Sequence, residues 1–361
     1  MIEEAEHEGQ SPDVIVASCG GAIAALVANQ IQSNEDRKEL IESKVFYEFL
    51  RTNDNLDHTS LFWVLGKMVK MFWQLHIVSA DTVPDTFSDV LLMADAVPER
   101  HAPESLRRPF LASGIRVVIV AGRMLFAPED VGSDRNGRKL FQEVFFTDDE
   151  TAELLKGFNS PVGESFAASS VMKETEVLPD ALPVQATRAS VADPLMVKAV
   201  RLKDGYYYAT GAIDLYPLEL AHQLADEVLM QFSSGFDSLI DGPTILITFR
   251  YDMNERLRKV TSSEATHWID MTDEGEVASK YGFDLHANIL TLSVDKMIPD
   301  DYGLYRERVA RLWEFGKCRM RQALRTTVNG KAHIKHMDDR NTYPAIRQAR
   351  VPVDDCETLL Q

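Results

Sequence analysis

The sequence predicts an α/β fold with a central, mostly parallel sheet, a C-terminal helix and an extended tail. The first observation is the short apolar run 13–17, Asp-Val-Ile-Val-Ala, which is typical of a buried parallel strand. The second is that Gly20 and Gly21 end this strand and an alanine-rich helix follows over 22–32. A strand, a glycine turn and a helix in immediate succession indicate the start of an α/β unit. The third is a long helical pattern over 306–326.

Further elements follow from hydrophobic periodicity and from turn residues. Helices are predicted at 35–52 and 59–76, and Pro217 is expected to open another. We expect one α/β domain over residues 1–328 and a polar tail over 329–361. The predicted strands are short apolar, β-branched or aromatic runs at 116–127, 139–147, 184–187, 206–209, 228–232, 244–249 and 289–294.

The composition excludes several classes of protein. The chain has 361 residues, 45% hydrophobic and 26% charged, so it is neither disordered nor fibrous. Its net charge of −18 repels phosphates, so we expect no nucleic-acid partner. No apolar run is long enough for a transmembrane segment, and the N-terminus lacks a secretion signal. Three widely spaced cysteines predict no disulfide framework and a reducing compartment. We therefore expect a cytoplasmic protein, with peripheral contact to a membrane as the alternative.

The predicted helix over 59–76 is apolar around most of its circumference. Only a thin stripe of Lys67, Lys70 and Gln74 is polar. One interpretation is a helix buried on nearly all sides. The other is a helix that borders a groove for a lipid or a protein partner, lined by Phe62, Trp63, Phe72 and Trp73.

The most specific motifs lie in three segments. Residues 13–22 run from a strand through Cys19 and two glycines into a helix, and residues 189–194 are Ala-Ser-Val-Ala-Asp-Pro. Residues 204–217 follow with a tyrosine run and a second Asp-x-x-Pro. In this order, the segments resemble the nucleophile elbow, the Ala-Ser-x-Ala-x-Pro stretch and the catalytic-aspartate region of patatin-like phospholipases. The resemblance covers about residues 12–324 and implies a three-layer sandwich with the chemistry of a lipid acyl hydrolase.

The sequence departs from the family's pattern at the catalytic positions. Patatin-like hydrolases use a serine nucleophile and an aspartate as its base. Alignment on the elbow places Cys19 at the serine, and Ala17 replaces the first glycine, where its methyl group is expected to crowd the turn. Alignment on the downstream Asp214 places Ala209 at the aspartate, and a register shifted by one places Thr210 there.

A second departure concerns the oxyanion hole. In the family, a Gly-rich loop before the elbow strand supplies the backbone N–H groups that bind the oxyanion. The residues before Asp13 contain no such loop. The remaining candidates are therefore Gly20 and Gly21 as anion-binding donors at the helix start, and Asp214 as a substitute base.

Two functions from different classes follow. The first is a pseudoenzyme, a non-hydrolytic subunit that binds a lipid, an acyl chain or a protein. The alternative is a working lipid acyl hydrolase or acyltransferase with Cys19 as nucleophile, because a thiol at a helix N-terminus favours the thiolate. A carboxylate or imidazole within hydrogen-bond reach of this thiol favours the enzyme, and an apolar surround favours the pseudoenzyme.

We expect no cofactor and no metal centre. His333 and His336 lie near Asp338, but in a polar tail that is not expected to hold ligands in place. We do expect an oligomer or a hetero-complex, because a sheet without its first strand leaves an edge for a second polypeptide to cover.

Overall fold

A computed structural model describes most of the chain. The segment 59–76, with Phe62, Trp63, Phe72 and Trp73, lies outside the described residues except for residue 69, so both interpretations of that helix stay predictions. The described residues are 1–51, 69, 81–87, 99–112, 114–194, 197–232, 236, 241–263, 265, 267–271, 287–288, 293–294, 298–325, 334–337 and 344–346.

Helices and strands alternate through much of the described chain. The α-helices are α1 (Ile2–His7), α2 (Gly21–Gln30), α3 (Asn34–Glu42), α4 (Lys44–Arg51), α5 (Asp149–Leu154), α6 (Pro161–Ser165), α7 (Pro183–Ser190), α8 (Leu218–Leu224), α9 (Asp241–Phe249), α10 (Met253–Thr261) and α11 (Tyr302–Arg325). The strands are β1 (Val14–Ala17), β2 (Arg116–Met124), β3 (Phe141–Phe146), β4 (Glu176–Leu178), β5 (Val200–Arg201), β6 (Tyr207–Ala209), β7 (Leu229–Phe232), β8 (His267–Asp270), β9 (Ala287–Asn288), β10 (Ser293–Val294), β11 (Ile334–Met337) and β12 (Pro344–Ile346).

The centre of the fold is a six-stranded sheet in the order β4-β3-β2-β6-β5, with β1 also paired to β2. The β1–β2 and β3–β4 pairs are parallel, whereas β2–β3, β2–β6 and β5–β6 are antiparallel. The sheet is therefore mixed, where the sequence predicted a mostly parallel one. The connection between β2 and β3 turns back at Asn136 and Gly137, both with positive φ, and the two strands pair as antiparallel neighbours.

Strands β1 and β6 share one edge of β2 and lie end to end along it. Ala17 pairs with Ile119, and Ala209 pairs with Gly122 a little further along β2. Because β1 is parallel to β2 and β6 is antiparallel, the C-terminal ends of β1 and β6 face each other. The residues that follow these two ends therefore meet beside the middle of β2.

Helices cover both faces of the sheet. On one face, α2 and α7 pack against Ile119 and Ala121 of β2. On the other face, α8, α9 and α10 contribute to a core that includes Val118 and Val120. Alternate residues of one strand thus reach different helical layers, as the pleat of a strand requires. The protein has a mixed α/β architecture with a long C-terminal helix.

Two of the predicted strands are helices in the structure, and one predicted helix is divided into two. The predicted strand 184–187 lies in α7, where Pro183 occupies the first helical position and favours a helix start. The predicted strand 244–249 lies in α9, where Ile245 and Phe249 are buried one helical turn apart while Leu246 is exposed. The predicted helix 35–52 is divided at Ser43, whose hydroxyl accepts the N–H of Phe46 at 3.1 Å.

The N-terminal helix packs along the C-terminal one. Glu4 of α1 is buried and forms an ion pair with Arg321 of α11 at 2.5 Å. Glu3 binds Lys317 at 2.9 Å, one turn earlier on α11. Cys318, on the same helix, is disulfide-bonded, a bond that the sequence analysis did not predict.

Candidate functional site

The site begins at the turn between β1 and α2. Cys19 has a φ of +46°, a backbone conformation that side-chain-bearing residues rarely adopt. The turn is closed by the N–H of Gly21, which donates to Ser18 O at 3.0 Å. The methyl group of Ala17 lies 3.9 Å from the point that a side chain at residue 21 would occupy. That separation is an ordinary van der Waals contact, so Ala17 leaves room even for a side chain at residue 21.

A second strained turn follows β6 and faces the first. Thr210 also has a φ of +46°, and its hydroxyl accepts the N–H of Ala212 at 2.8 Å. Thr210 Oγ1 lies 3.5 Å from Cys19 Sγ. Ala209 is buried in β6 and takes part in the sheet through its backbone pairing with Gly122. Of the two sequence registers, the structure therefore brings the Thr210 side chain to the thiol.

A carboxylate completes the group. The thiol of Cys19 donates to Asp193 Oδ1 at 3.3 Å, and the hydroxyl of Thr210 donates to the same oxygen. Asp193 follows α7 and occupies the second variable position of the Ala-Ser-Val-Ala-Asp-Pro stretch. Sequence reasoning missed it because Asp214 was named as the substitute base. The stretch was singled out for its resemblance, but its sequence does not show that it meets the elbow in space.

Ser190, the last residue of α7, ties the elbow to the sheet. Its hydroxyl donates to Val120 O of β2 at 2.7 Å and accepts the backbone N–H of Cys19 at 2.9 Å. Gly211 makes this approach feasible. A Cβ at residue 211 would lie 2.5 Å from Cys19 N and 2.6 Å from Ser190 Oγ, so only glycine fits.

The thiol is held in its neutral form. Burial raises the pKa of Cys19 well above its ordinary value, and the negative charge of Asp193 raises it further. The backbone N–H of Gly211 opposes this rise only in part. The expectation that the start of α2 favours the thiolate is therefore reversed. Burial also raises the pKa of Asp193, against the hydrogen bonds from Thr210 and Cys19.

Asp214 has a different partner. It is fully buried, and both of its oxygens bind Arg256, at 3.1 Å to Nε and 2.8 Å to Nη2. Arg256 also binds Glu219 at 2.6 Å. The structure thus places Asp193, and not Asp214, beside the thiol.

Glu143 of β3 lies in this second group of charges. It is buried, and neither of its carboxylate oxygens accepts a hydrogen bond in the described part of the chain. Burial, with a contribution from Asp214, raises the pKa of Glu143 to about 8, although the positive charge of Arg256 opposes the rise. We refer to Glu143, Asp214, Glu219 and Arg256 as the Arg256 cluster. No sequence pattern predicted it, because its members come from four separate segments.

The two glycines of the elbow differ in whether their N–H groups can bind a ligand. The N–H of Gly21 already donates to Ser18 O, which closes the turn. Gly20 is exposed, and its N–H donates to no acceptor among the described residues. Gly20 is thus the elbow residue that can donate to an incoming oxygen.

Potential metal ligands meet in one place in the described chain, at Glu4, His7 and Glu8. Because Glu4 is already ion-paired with Arg321, this group has a structural explanation. His336 lies in β11, while His333 and Asp338 are outside the described residues.

None of the helices that the structure describes combines the length and apolar character needed to cross a membrane. The chain matches no protein-family model, and no curated protein shows significant sequence similarity to it. The geometry around Cys19 is therefore the basis for assigning a function.

Proposed function

We propose that the protein is a lipid acyl hydrolase or acyltransferase on a patatin-type fold, with Cys19 as nucleophile and Asp193 as its base. The observation that carries this proposal is the hydrogen bond of 3.3 Å between the thiol and the carboxylate. A carboxylate beside the thiol favours an enzyme, whereas an apolar environment would favour the pseudoenzyme. Both residues are half-buried, so the pair is partly shielded from bulk water.

The pair can carry out acyl transfer with a balanced flow of protons. Asp193 accepts the thiol proton as Cys19 Sγ attacks the acyl carbonyl carbon. The tetrahedral intermediate collapses by breaking the bond to the leaving oxygen, which takes the proton back from Asp193 and departs as an alcohol. Water, or an acceptor alcohol, then loses a proton to Asp193 and attacks the thioester. Cleavage of the C–S bond returns that proton to the sulfur and releases the acid or the new ester.

Two neighbours support these steps. Thr210 donates to the oxygen of Asp193 that faces the thiol, which fixes the orientation of the base. The free N–H of Gly20 is available to the oxyanion that forms on the carbonyl, in the role that backbone amides play in acyl-transfer enzymes. The resemblance of the elbow and of the 189–194 stretch to patatin-like hydrolases supports the same assignment.

The test is hydrolysis of p-nitrophenyl esters by the recombinant protein, with mass-spectrometric mapping of any acyl adduct. We expect Cys19-dependent release of p-nitrophenol and a thioester on Cys19. Asp193→Asn should lower the rate by about 10² or more, the usual contribution of a positioned base. Asp226→Asn is the matched control because Asp226 is exposed, and it should leave the rate unchanged. Hydrolysis that survives in Cys19→Ala would contradict the assignment.

The pseudoenzyme is the second candidate, and the raised pKa of Cys19 favours it. A neutral thiol is a poor nucleophile, and Gly20 offers a single donor where the family uses a Gly-rich loop. In this case the protein binds a lipid, an acyl chain or a partner protein without cleavage. The expected result is the absence of both turnover and adduct, together with a stable hetero-complex or oligomer in size-exclusion chromatography with light scattering.

A further inference from the structure

The charge at the site is negative, and among the described residues no cation compensates it. Within that part of the chain, the Asp193 carboxylate accepts hydrogen bonds from two neutral donors, the thiol of Cys19 and the hydroxyl of Thr210. No Lys or Arg in the described part of the chain forms an ion pair with Asp193 or lowers its pKa. The environment of Cys19 is also negative, since Asp193 is the charged group that acts on its thiol.

Two arginines on elements near the site, Arg123 and Arg256, are already bound to carboxylates. Arg256, behind the 210–214 turn, is fully buried between Asp214 and Glu219. Arg123, on β2 beside the site, binds Glu176 and is only 8% exposed. Neither side chain can turn towards Cys19 without breaking an ion pair. The net charge of −18 adds a repulsive field for anions over the whole surface.

We infer that the Cys19–Asp193 site accepts acyl compounds without negative charge and excludes anionic ones, such as acyl phosphates, acidic phospholipids and acyl carboxylates. This inference rests on the proposed function for its biological meaning. An anion that reaches the sulfur comes within a few ångströms of the Asp193 carboxylate. At about 4 Å and an effective dielectric constant of about 20, the repulsion between two unit charges corresponds to far more than a tenfold loss of rate.

The decisive experiment compares two alkylating reagents that differ only in charge. Iodoacetamide is neutral and iodoacetate is anionic, and both form the same thioether bond with release of iodide. The rates are measured on the full-length protein at pH 8.5 without reductant, so that Cys318 stays disulfide-bonded, and peptide mapping assigns each adduct. Glutathione, which is itself anionic, gives a reference ratio that already includes some repulsion of iodoacetate, so any excess at Cys19 reports additional repulsion.

We expect the iodoacetamide-to-iodoacetate ratio at Cys19 to exceed that of glutathione by about tenfold or more, and to shrink in 1 M salt. In Asp193→Asn the ratio should fall to within about twofold of glutathione, because the repelling charge is gone. Any change in the nucleophilicity of the thiol affects both reagents equally and cancels in the ratio. Asp226→Asn should keep the wild-type ratio. A wild-type ratio equal to that of glutathione would overturn the inference.

A second comparison separates this inference from the proposed function. p-Nitrophenyl hexanoate and the mono-p-nitrophenyl ester of adipic acid have acyl chains of equal length, and only the latter carries a carboxylate. Preference for the hexanoate supports both ideas. Equal Cys19-dependent rates overturn the inference and leave the proposed function standing. If neither ester is hydrolysed, the proposed function fails, and the alkylation ratio still decides the charge preference of the site.

Discussion

Asp193 contacts Thr210 at the start of the 210–214 turn and Asp214 ends that turn, yet the two carboxylates are bound by different kinds of partner. Asp214 gives both oxygens to the buried guanidinium of Arg256. Asp193 accepts hydrogen bonds from a thiol and a hydroxyl, which carry no charge. Burial raises the pKa of both carboxyls, but at Asp214 the guanidinium opposes the rise. Protonation of Asp214 would break a buried ion pair, whereas Asp193 can accept a proton without losing one. The first arrangement is structural, and the second suits a base.

The strongest test of this contrast is removal of the guanidinium with Arg256→Met. The substitution leaves Asp214 charged and buried without a counter-ion, and Glu219 loses its partner as well. We expect a loss of about 3–5 kcal/mol in the free energy of unfolding, measured by urea titration. Arg258→Met is the control, because Arg258 is partly exposed and lies 3.8 Å from Asp252, so its loss should stay below about 1 kcal/mol. Equal losses for the two variants would remove the structural role assigned to Arg256.

The next test acts on the Asp193 side through the close contact at Gly211. In Gly211→Ala the new methyl group would lie 2.5 Å from Cys19 N and 2.6 Å from Ser190 Oγ. The elbow must move, so we expect a loss of about 1–3 kcal/mol in stability and an altered alkylation rate at Cys19. Gly20→Ala is a matched control with no atom within 4 Å of its new methyl group, and its φ is −56°. Identical unfolding midpoints for the two variants would rule out the crowding at residue 211.

The fold was predictable where hydrophobic periodicity decides structure. The runs that became β2, β3 and α11 are long and regular, and their positions were predicted to within a few residues. The 244–249 run was assigned wrongly because its β-branched residues resemble a strand, while Pro243 and tertiary burial place it in a helix. Parallel and antiparallel pairing depends on connections between strands, which composition does not show.

The candidate site was predictable in part. Cys19 could be found because an elbow is a local motif of strand, turn and helix. Asp193 could not be recognised as its partner, since their contact spans 174 positions of sequence. The orientation of Thr210 depends on a positive φ that its residue type does not favour. Such a conformation is imposed by the meeting of β1 and β6 on β2, and only the assembled sheet reveals it.

The third test uses pH and the unpartnered carboxyl of the Arg256 cluster. Glu143 has a pKa of about 8 in the folded protein against an ordinary value of 4.5. Between these values the folded state keeps a proton that the unfolded chain releases, so rising pH favours unfolding. Glu143→Gln removes this titration. We expect the variant and the wild type to converge near pH 5, and the variant to be more stable at pH 9 by at least about 1.4 kcal/mol, the equivalent of one pKa unit.

Urea titrations at pH 5, 7 and 9 measure this difference directly. Glu129→Gln is the control, because Glu129 is exposed and its stability difference from the wild type should stay constant with pH. A constant difference for Glu143→Gln as well would mean that Glu143 is ionised in the folded protein. In that case the Arg256 cluster would carry three negative charges against one guanidinium, and the contrast with Asp193 would lose its simplest explanation.

The smallest expected effect concerns the bond between the site and the sheet. Ser190→Ala removes the hydroxyl that joins Val120 O to Cys19 N. We expect a loss of about 1 kcal/mol, because two buried backbone groups lose their partner while the packing of α7 is kept. Ser263→Ala, in an exposed position, should change stability by less than about 0.5 kcal/mol. If alkylation of Cys19 is faster in Ser190→Ala and unchanged in Ser263→Ala, Ser190 restrains the elbow. If alkylation is unchanged in Ser190→Ala as well, the backbone of the turn holds the thiol by itself.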